Sequence, residues 1–337
     1  MKRLIIQTVK YLLFLLLGVF LLWLSFRNLS LEEVWNDILN AHYAWMFLAL
    51  FFVFMAHMLR ALRWNLLIGS MGYKTRLSTT FYAVMVGYMA NTAVPRMGEF
   101  MRCGVLSRKE KIPFNALFGS VISERFIDLV MLAIILFSVL FFQWQLLGDF
   151  VTRMLNPFFE RIGEYSLALG ILAGIGLLLS AFIIWLFVFF RNRFRKMPGY
   201  SKTAELIRGL IEGVRTIQRV KQKGLFVLYT LLIWFLYGLM LWAPFLMLDE
   251  TSHLGLLEAI TLMAIGSLGV VAPVPGGIGA YHFIGKAVLV ELYGISGTSA
   301  GSFVALTHAG QTLLHITTGG LFYFIMFFAD HKKPLNE

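Results

Sequence analysis

Long apolar runs separated by short polar stretches dominate this chain. A helix of about 20 apolar residues crosses the hydrocarbon core of a bilayer, so runs of this length predict membrane-spanning helices. The six predicted crossings lie at about 10–26, 43–67, 114–142, 166–190, 225–248 and 300–328. Two further apolar stretches, 78–107 and 257–295, are interrupted by proline and glycine. Proline breaks a continuous helix, so these two stretches predict a different structure.

The composition agrees with this pattern. Of the 337 residues 59% are hydrophobic and only 14% are charged, whereas soluble domains carry about 25% charge. The sequence therefore predicts an all-α polytopic membrane protein with one membrane domain over 1–337. Cys103 is the only cysteine, which excludes a disulfide framework and a paired-cysteine metal site. We expect no metal and no cofactor.

The basic residues are distributed unevenly along the chain, which has a net charge of +11. They are scarce in the predicted outer loops 27–42, 144–165 and 249–258. Positive residues favour the cytoplasmic side of a membrane. This bias predicts a multi-pass protein of the plasma membrane with both termini in the cytoplasm. No small-residue cleavage site follows the first run, so it is predicted to be a retained helix rather than a signal peptide.

The segment 191–223 is strongly basic and has apolar residues at helical spacing. Such a pattern is typical of an amphipathic cytoplasmic helix that lies on an anionic membrane surface. The alternative is that its charge only sets the topology. No aromatic or recognition module accompanies the charge, so we expect no nucleic-acid partner.

The two interrupted stretches contain related motifs, NTAVPRMGEFMR over 91–102 and VAPVPGGIGAYH over 271–282. Both place a glycine and a polar residue shortly after Val-Pro. Broken helices at membrane depth are tolerated where they line a polar cavity, and they mark transport sites near the bilayer midplane. We therefore predict two re-entrant hairpins; the alternative is a pair of proline-kinked spanning helices without a site. The predicted hairpin-breaking residues are Pro95, Gly98, Pro273, Pro275 and Gly279.

Each hairpin is flanked by two predicted crossings. The first repeat covers about 43–142 and the second about 225–328, and each reads helix, broken hairpin, helix. From the charge bias we predict that the first hairpin opens to the cytoplasm and the second to the outside. This arrangement predicts inverted repeats.

Charged residues near the first hairpin are candidates for a binding site, because ionisable groups are costly within a membrane. Arg96, Glu99 and Arg102 are three residues apart and would share one face of a short helix. An arginine held there suits a phosphate group. The alternative is an ion cluster that satisfies itself and only stabilises the hairpin.

Two other charged groups accompany this hairpin. Glu124, Arg125 and Asp128 can pair within one helix, and a functional role and a structural clamp both remain open for them. Arg60 and Arg63, with Trp64, are interpreted as anchors at the inner membrane boundary rather than headgroup contacts.

Histidines are the corresponding candidates in the second half. His282 follows the Pro-Gly-Gly turn, and His308 and His315 share one face of the last predicted helix. Imidazoles in this arrangement can relay protons. The alternative is that they are hydrogen-bonded core residues.

The motifs N-x-x-x-P-R-x-G-E-x-x-R, E-R-x-x-D and P-x-P-G-G-x-G resemble the transmembrane region of lysylphosphatidylglycerol synthases. That region also occurs free-standing as a flippase-like domain. The residues that carry the resemblance are Asn91, Pro95, Arg96, Gly98, Glu99 and Arg102, then Glu124, Arg125 and Asp128, then Pro273, Pro275, Gly276, Gly277 and Gly279. One position departs from the family, which often has a glutamate where this chain has His282.

The resemblance implies a transporter that moves an anionic phospholipid or a polyprenyl-linked lipid between leaflets. We expect no enzymatic activity, because the aminoacyltransferase domain of the synthases has no counterpart here. One alternative is a membrane-embedded transferase or hydrolase acting on lipid-linked substrates. Another is a non-transporting partner, bound to an enzyme or to a second copy, that presents lipid. The predicted substrate-binding residues are Asn91, Arg96, Glu99, Arg102, Glu124, Arg125, Asp128, Gly276, Gly277 and His282.

Overall fold

A computed structural model describes residues 2–27, 29–144, 148, 218–270 and 274–331, with the backbone alone for 2–11, 268–270 and 328–331. The predicted crossing 166–190, most of the basic segment 191–223 and Pro273 lie outside the described residues.

Every regular element in the described part of the chain is helical. The α-helices are α1 (Lys2–Phe26), α2 (Leu31–Asn40), α3 (Tyr43–Ser70), α4 (Leu77–Ala93), α5 (Met97–Glu110), α6 (Phe114–Phe142), α7 (Lys223–Trp242), α8 (Leu256–Val270), α9 (Ala280–Tyr293) and α10 (Gly297–His331). Short 3₁₀ helices cover Ala243–Met247, Asp249–Thr251 and Pro275–Gly277. The prediction of an all-α protein is confirmed for these residues.

Three described helices have the length and hydropathy of a membrane crossing: Tyr43–Ser70, Phe114–Phe142 and Lys223–Met247. They coincide with three of the predicted crossings. The pair α1 and α2 meets the same criterion together, although the two helices are bent by 88° where they join. The membrane class is therefore supported by the fold as well as by composition.

Helix α2 lies in the stretch 27–42, which was predicted to be an outer loop. The Ser30 hydroxyl accepts a hydrogen bond from the Glu33 amide at 3.3 Å and caps the helix. Leu31 and Trp35 on α2 are exposed, whereas Val34 is buried. The capping serine and this spacing were sequence signals for a short amphipathic helix.

Both proline breaks connect helices that fold back on each other. Gly98 of α5 lies against Gly87 and Asn91 of α4. At the second break, Gly285 of α9 lies against Leu262 of α8, and the corresponding helices α4 with α5 and α8 with α9 are in extensive contact. Each interrupted stretch therefore forms a helical hairpin rather than one kinked helix.

Two apolar cores surround these hairpins. One is centred on α3 to α6 and includes Trp64, Met85 and Leu117. The other is formed mainly by α7 to α10 and includes Phe245 and Phe303, whose rings stack 5.0 Å apart. Between the two halves, α3 packs along α7 and α4 packs along α10. These two helix contacts bring polar side chains from distant parts of the sequence together.

At the end of the bundle where α10 begins, Glu250 attaches the loop before α8 to the start of that helix. Its carboxylate accepts hydrogen bonds from the Ser296 amide at 2.5 Å and the Ser296 hydroxyl at 2.7 Å. Partial burial opposes ionisation of Glu250, but these hydrogen bonds prevail and lower its pKa below the ordinary value.

Candidate functional site

A network of buried ion pairs connects three helices. On α3, Arg60 Nη1 lies 2.5 Å from Glu124 Oε1 and 3.0 Å from Asp128 Oδ2 of α6. Arg63 Nη2 lies 2.7 Å from Asp128 Oδ1, and Arg102 Nη1 of α5 lies 3.2 Å from Glu124 Oε2. The Glu124 side chain is 0% exposed. Burial of these charges is tolerated because each has an opposite partner, and loss of one partner would leave an uncompensated buried charge.

The interpretation of Arg60, Arg63 and Trp64 as boundary anchors is wrong. All three are buried within the protein. The two guanidinium groups pair with carboxylates on α6, while Trp64 Nε1 donates to Ser120 Oγ at 2.8 Å. The acidic partners lie more than sixty positions away in sequence, so the local pattern of α3 did not reveal them.

Arg125, on α6 itself, also belongs to the network. Its Nη2 lies 2.9 Å from Glu124 Oε1 and 3.5 Å from Asp128 Oδ2. The predicted pairing of these residues within one helix is therefore confirmed. The shortest contact of each carboxylate, however, is with an arginine of α3. Arg125 is 43% exposed, which distinguishes it from the buried arginines.

This network, which we call the arginine cluster, has an excess of positive charge. It contains Arg60, Arg63, Arg102 and Arg125 against Glu124 and Asp128, and the arginines remain in excess when the neighbouring Glu99 is counted as well. Several guanidinium nitrogens have no hydrogen-bond partner although they are buried, among them Arg102 Nη2. Buried donors without a partner are costly, and together with the excess charge they favour an anion nearby.

A cleft of about 40 Å³ adjoins the arginine cluster, with room for a few water molecules. Glu99 Oε2 is buried at this cleft without a hydrogen-bond partner. The cleft thus contains an unpaired acceptor and, in Arg102, an unpaired donor. The lining residues are Val84, Gly87, Tyr88, Asn91, Gly98, Glu99, Arg102 and Arg125.

The start of α5 explains how the first hairpin positions these groups. Asn91 Oδ1 accepts a hydrogen bond from the Gly98 amide at 2.7 Å, which satisfies a free N–H in the first turn of the helix. Glu99 and Arg102 lie one turn apart on α5. Arg96 does not share their face as predicted, because α5 begins at Met97 and Arg96 precedes it in a left-handed conformation. Its side chain is exposed.

The two hairpin tips have the same backbone turn. The residue after Val-Pro has φ 61° and ψ 9° at Arg96, and φ 59° and ψ 7° at Gly276. In each turn the valine carbonyl accepts a hydrogen bond at 3.2 Å from the amide three residues later. Proline followed by a left-handed residue is typical of a type II β-turn. The shared Val-Pro motif therefore encodes one turn used twice.

Arg96→Gly should stabilise the protein by about 1 kcal/mol, since a left-handed conformation costs a residue with Cβ roughly that amount. Thermal unfolding in detergent measures the change. Arg108→Gly is the matched control, because Arg108 is exposed near the end of α5 in right-handed helix, where glycine costs up to about 1 kcal/mol. Equal effects of the two substitutions would contradict the assignment of backbone strain to Arg96.

The tips also meet. A Cβ atom on Gly276 would lie 3.5 Å from the backbone of Thr92 near the end of α4. The Gly276 carbonyl lies 2.9 Å from His308 Nε2 of α10, and Gly279 packs closely against Gly18 of α1. The second tip is thus held by three helices beside the first hairpin, whereas Gly277 faces open space.

The three candidate histidines are divided between two pairs, one of which is completed by His57. The rings of His282 and His308 lie 4.8 Å apart, and His282 Nδ1 accepts a hydrogen bond from the Gly279 amide at 3.4 Å. His315 instead approaches His57 of α3, with their Nε2 atoms 3.0 Å apart. His282 is not among the residues that line the cleft. The structure therefore does not bring it to the arginine cluster.

Sequence reasoning missed His57, Tyr88 and Tyr237. Tyr88 lines the cleft, and the Tyr237 hydroxyl accepts a hydrogen bond from Arg60 Nη2 at 3.0 Å. One signal was present, because His57, Arg60 and Trp64 recur at helical spacing inside a largely apolar helix. That spacing indicates a polar stripe that faces protein rather than lipid.

The fold and the cluster define a membrane protein that is helical throughout its described part, with ion pairs buried among the helices. Residues 11–319 match the family model described as the lysylphosphatidylglycerol synthase TM region. The chain belongs to this family, and the predicted resemblance is confirmed. It is also 27% identical over 139 residues to a UPF0104 membrane protein of Methanocaldococcus jannaschii. That alignment spans 40% of each protein, less than half the length of the relative. No solved structure matches the chain.

Proposed function

We propose that the protein is a flippase-like transporter that moves an anionic lipid or lipid-linked headgroup between leaflets. The observation that carries this proposal is the excess of positive charge in the arginine cluster beside a polar cleft. An unbalanced buried charge is costly unless a counterion compensates it. A lipid phosphate is the counterion most available inside a membrane.

In this proposal the headgroup phosphate binds Arg102 and Arg125 at the cleft. Arg102 Nη2 is a buried donor without a partner, and Arg125 is the partly exposed member of the cluster. Glu99 accepts a hydrogen bond from the same headgroup, and Asn91 keeps α5 in place. The cleft holds only a few waters in this conformation, so the α4–α5 hairpin must move to admit a headgroup while the tails stay in the bilayer.

The proposed architecture has six crossings and two re-entrant hairpins in inverted repeats. Two observations support it beyond the shared turn geometry. If the two repeats correspond helix by helix, α4 corresponds to α8 and α6 corresponds to α10. The contact of α4 with α10 then has a counterpart in the contact of α8 with α6, and both contacts are present. Helices α3 and α7 correspond to each other, so the contact between them is its own counterpart. A two-fold relation between repeats produces this pattern.

We further propose that the protein lies in the plasma membrane with cytoplasmic termini and acts without a catalytic step. Glu124 and Asp128, the carboxylates that an embedded transferase would use, are each engaged by several guanidinium groups. Such carboxylates are poor general bases, because their lone pairs are occupied. They serve here as counterions of the arginines.

Arg125→Gln should reduce exchange of an anionic lipid about tenfold, the effect of one charge-assisted hydrogen bond. Purified protein in proteoliposomes is given fluorescent phosphatidylglycerol or fluorescent polyprenyl phosphate. Access of dithionite to the label then reports exchange between leaflets. Arg125 suits the test because Glu124 and Asp128 retain Arg60, Arg63 and Arg102 as partners.

Arg108→Gln is the matched control, since Arg108 is an exposed arginine at the far end of α5. It should leave exchange unchanged. Wild-type protein that exchanges neither lipid faster than empty liposomes would contradict transport. Equal loss in both variants would show that the cleft is not the binding site.

A further inference from the structure

A pair of buried histidines outside the cleft joins the two halves of the protein. His57 of α3 and His315 of α10 have their Nε2 atoms 3.0 Å apart, and His57 is 3% exposed. Two imidazole nitrogens at this distance share one proton, one ring donating and the other accepting. His57 Nδ1 is buried and has no hydrogen-bond partner.

This histidine pair is connected to the arginine cluster through two tyrosines. The Tyr88 ring stacks on His57 at 3.9 Å and on His315 at 4.9 Å. Its hydroxyl lies 3.5 Å from the Tyr237 hydroxyl, which accepts a hydrogen bond from Arg60. Tyr88 also lines the cleft, so one side chain contacts both the histidine pair and the proposed headgroup site.

The charges that act on the pair come from each helix packed around it. Arg60 lies one turn from His57 on α3, and within the arginine cluster it is paired with Glu124 and Asp128 of α6. His308 is two turns from His315 on α10. The other polar groups beside the pair are the hydroxyls of Tyr88 of α4 and Tyr237 of α7. The positive charge of Arg60 disfavours a second positive charge on the buried pair, and an anion bound at the cluster offsets it.

We propose that the His57–His315 pair is a proton-binding site that takes up one proton when an anionic headgroup occupies the arginine cluster. The proposal rests on the proposed function and identifies its coupling ion. A proton from water bonds to the free lone pair of a ring nitrogen of the pair and leaves again when the anion dissociates. Headgroup and proton then cross the membrane together, which halves the net charge moved by a dianionic phosphate and cancels that of a monoanionic one.

The test is titration calorimetry of the detergent-solubilised full chain with dioctanoyl phosphatidylglycerol near pH 7. Buffers with different ionisation enthalpies give the number of protons taken up per lipid bound. We expect an uptake that approaches one proton for the wild type. It should fall at least threefold in His57→Gln and in His315→Gln, while lipid binding persists. Two variants are used so that poor folding of one, which size-exclusion chromatography detects, leaves the other as the test.

His253→Gln is the matched control, because His253 is exposed in a loop before α8; its proton uptake should equal that of the wild type. Lipid binding with equal uptake in all variants overturns the proton site and leaves the proposed function intact. Absence of lipid binding to the wild type overturns both. Inorganic phosphate that alone produces binding and His57-dependent uptake would support the proton site but replace the lipid by a free anion.

Discussion

Glu124→Gln should destabilise the protein by about 3–5 kcal/mol, the cost of removing one partner from a buried ion pair. Glu124 is fully buried and contacts Arg60, Arg102 and Arg125 within 3.2 Å. Its neutralisation leaves Asp128 as the one carboxylate opposite the four arginines of the cluster. The loss is a large fraction of a typical folding free energy. Thermal unfolding in detergent, followed by tryptophan fluorescence, measures it.

Two further variants separate charge from side-chain shape. Glu291→Gln makes the same chemical change at an exposed position of α9 and should alter stability by less than about 0.5 kcal/mol. Arg60→Gln combined with Glu124→Gln should be less destabilising than the sum of the single substitutions, because the second change removes an uncompensated charge. Strict additivity would show that the ion pairs are not coupled.

Gly98→Ala should disrupt the first hairpin and abolish lipid exchange. A Cβ atom at Gly98 would overlap the carbonyl oxygen of Gly87 and would lie 2.6 Å from the Asn91 side chain. Backbone cannot yield as a flexible side chain does, so α5 must move away from α4. We expect destabilisation of about 1–3 kcal/mol from overpacking. Loss of exchange follows because Asn91, Glu99 and Arg102 lose their relative positions.

For Gly104→Ala, on the same helix, we expect the opposite effect on stability. Nothing lies within 4 Å of a Cβ atom built at Gly104, and alanine is favoured over glycine in a helix by up to about 1 kcal/mol. This variant should be slightly more stable and should exchange lipid normally. Unfolding midpoints and dithionite assays of both variants test the pair. A stable and active Gly98→Ala protein would refute the close approach of α4 and α5.

The sequence predicted those elements that depend on local chemistry. Residues 114–142 are helical as expected, because a long apolar run has one stable backbone structure in a bilayer. Val-Pro followed by Arg96 or Gly276 predicted breaks at both hairpins, and the breaks are there. The capping residue Ser30 was overlooked, although its effect is also local.

The partners of charged residues could not be predicted in this way. Arg60 appears locally as a snorkelling arginine, since α3 contains no carboxylate to pair with it. Its carboxylates are on α6, and contact between these helices results from packing of the whole bundle. The same holds for His57, whose partner His315 is 258 positions away. The residue pattern of one helix shows that a buried polar group needs a hydrogen-bonding or charged partner. It does not identify that partner.

The sequence by itself determined that this is a helical membrane protein with two broken hairpins. The length of the apolar runs and the positions of proline and glycine were sufficient for this. Backbone hydrogen bonding and turn conformation respond to nearest neighbours, so short stretches suffice. Only the tertiary structure decided that four arginines converge on two carboxylates and that the hairpin tips meet at Thr92. Coulomb interactions act through space between helices distant in sequence, and their geometry exists only after the helices have packed.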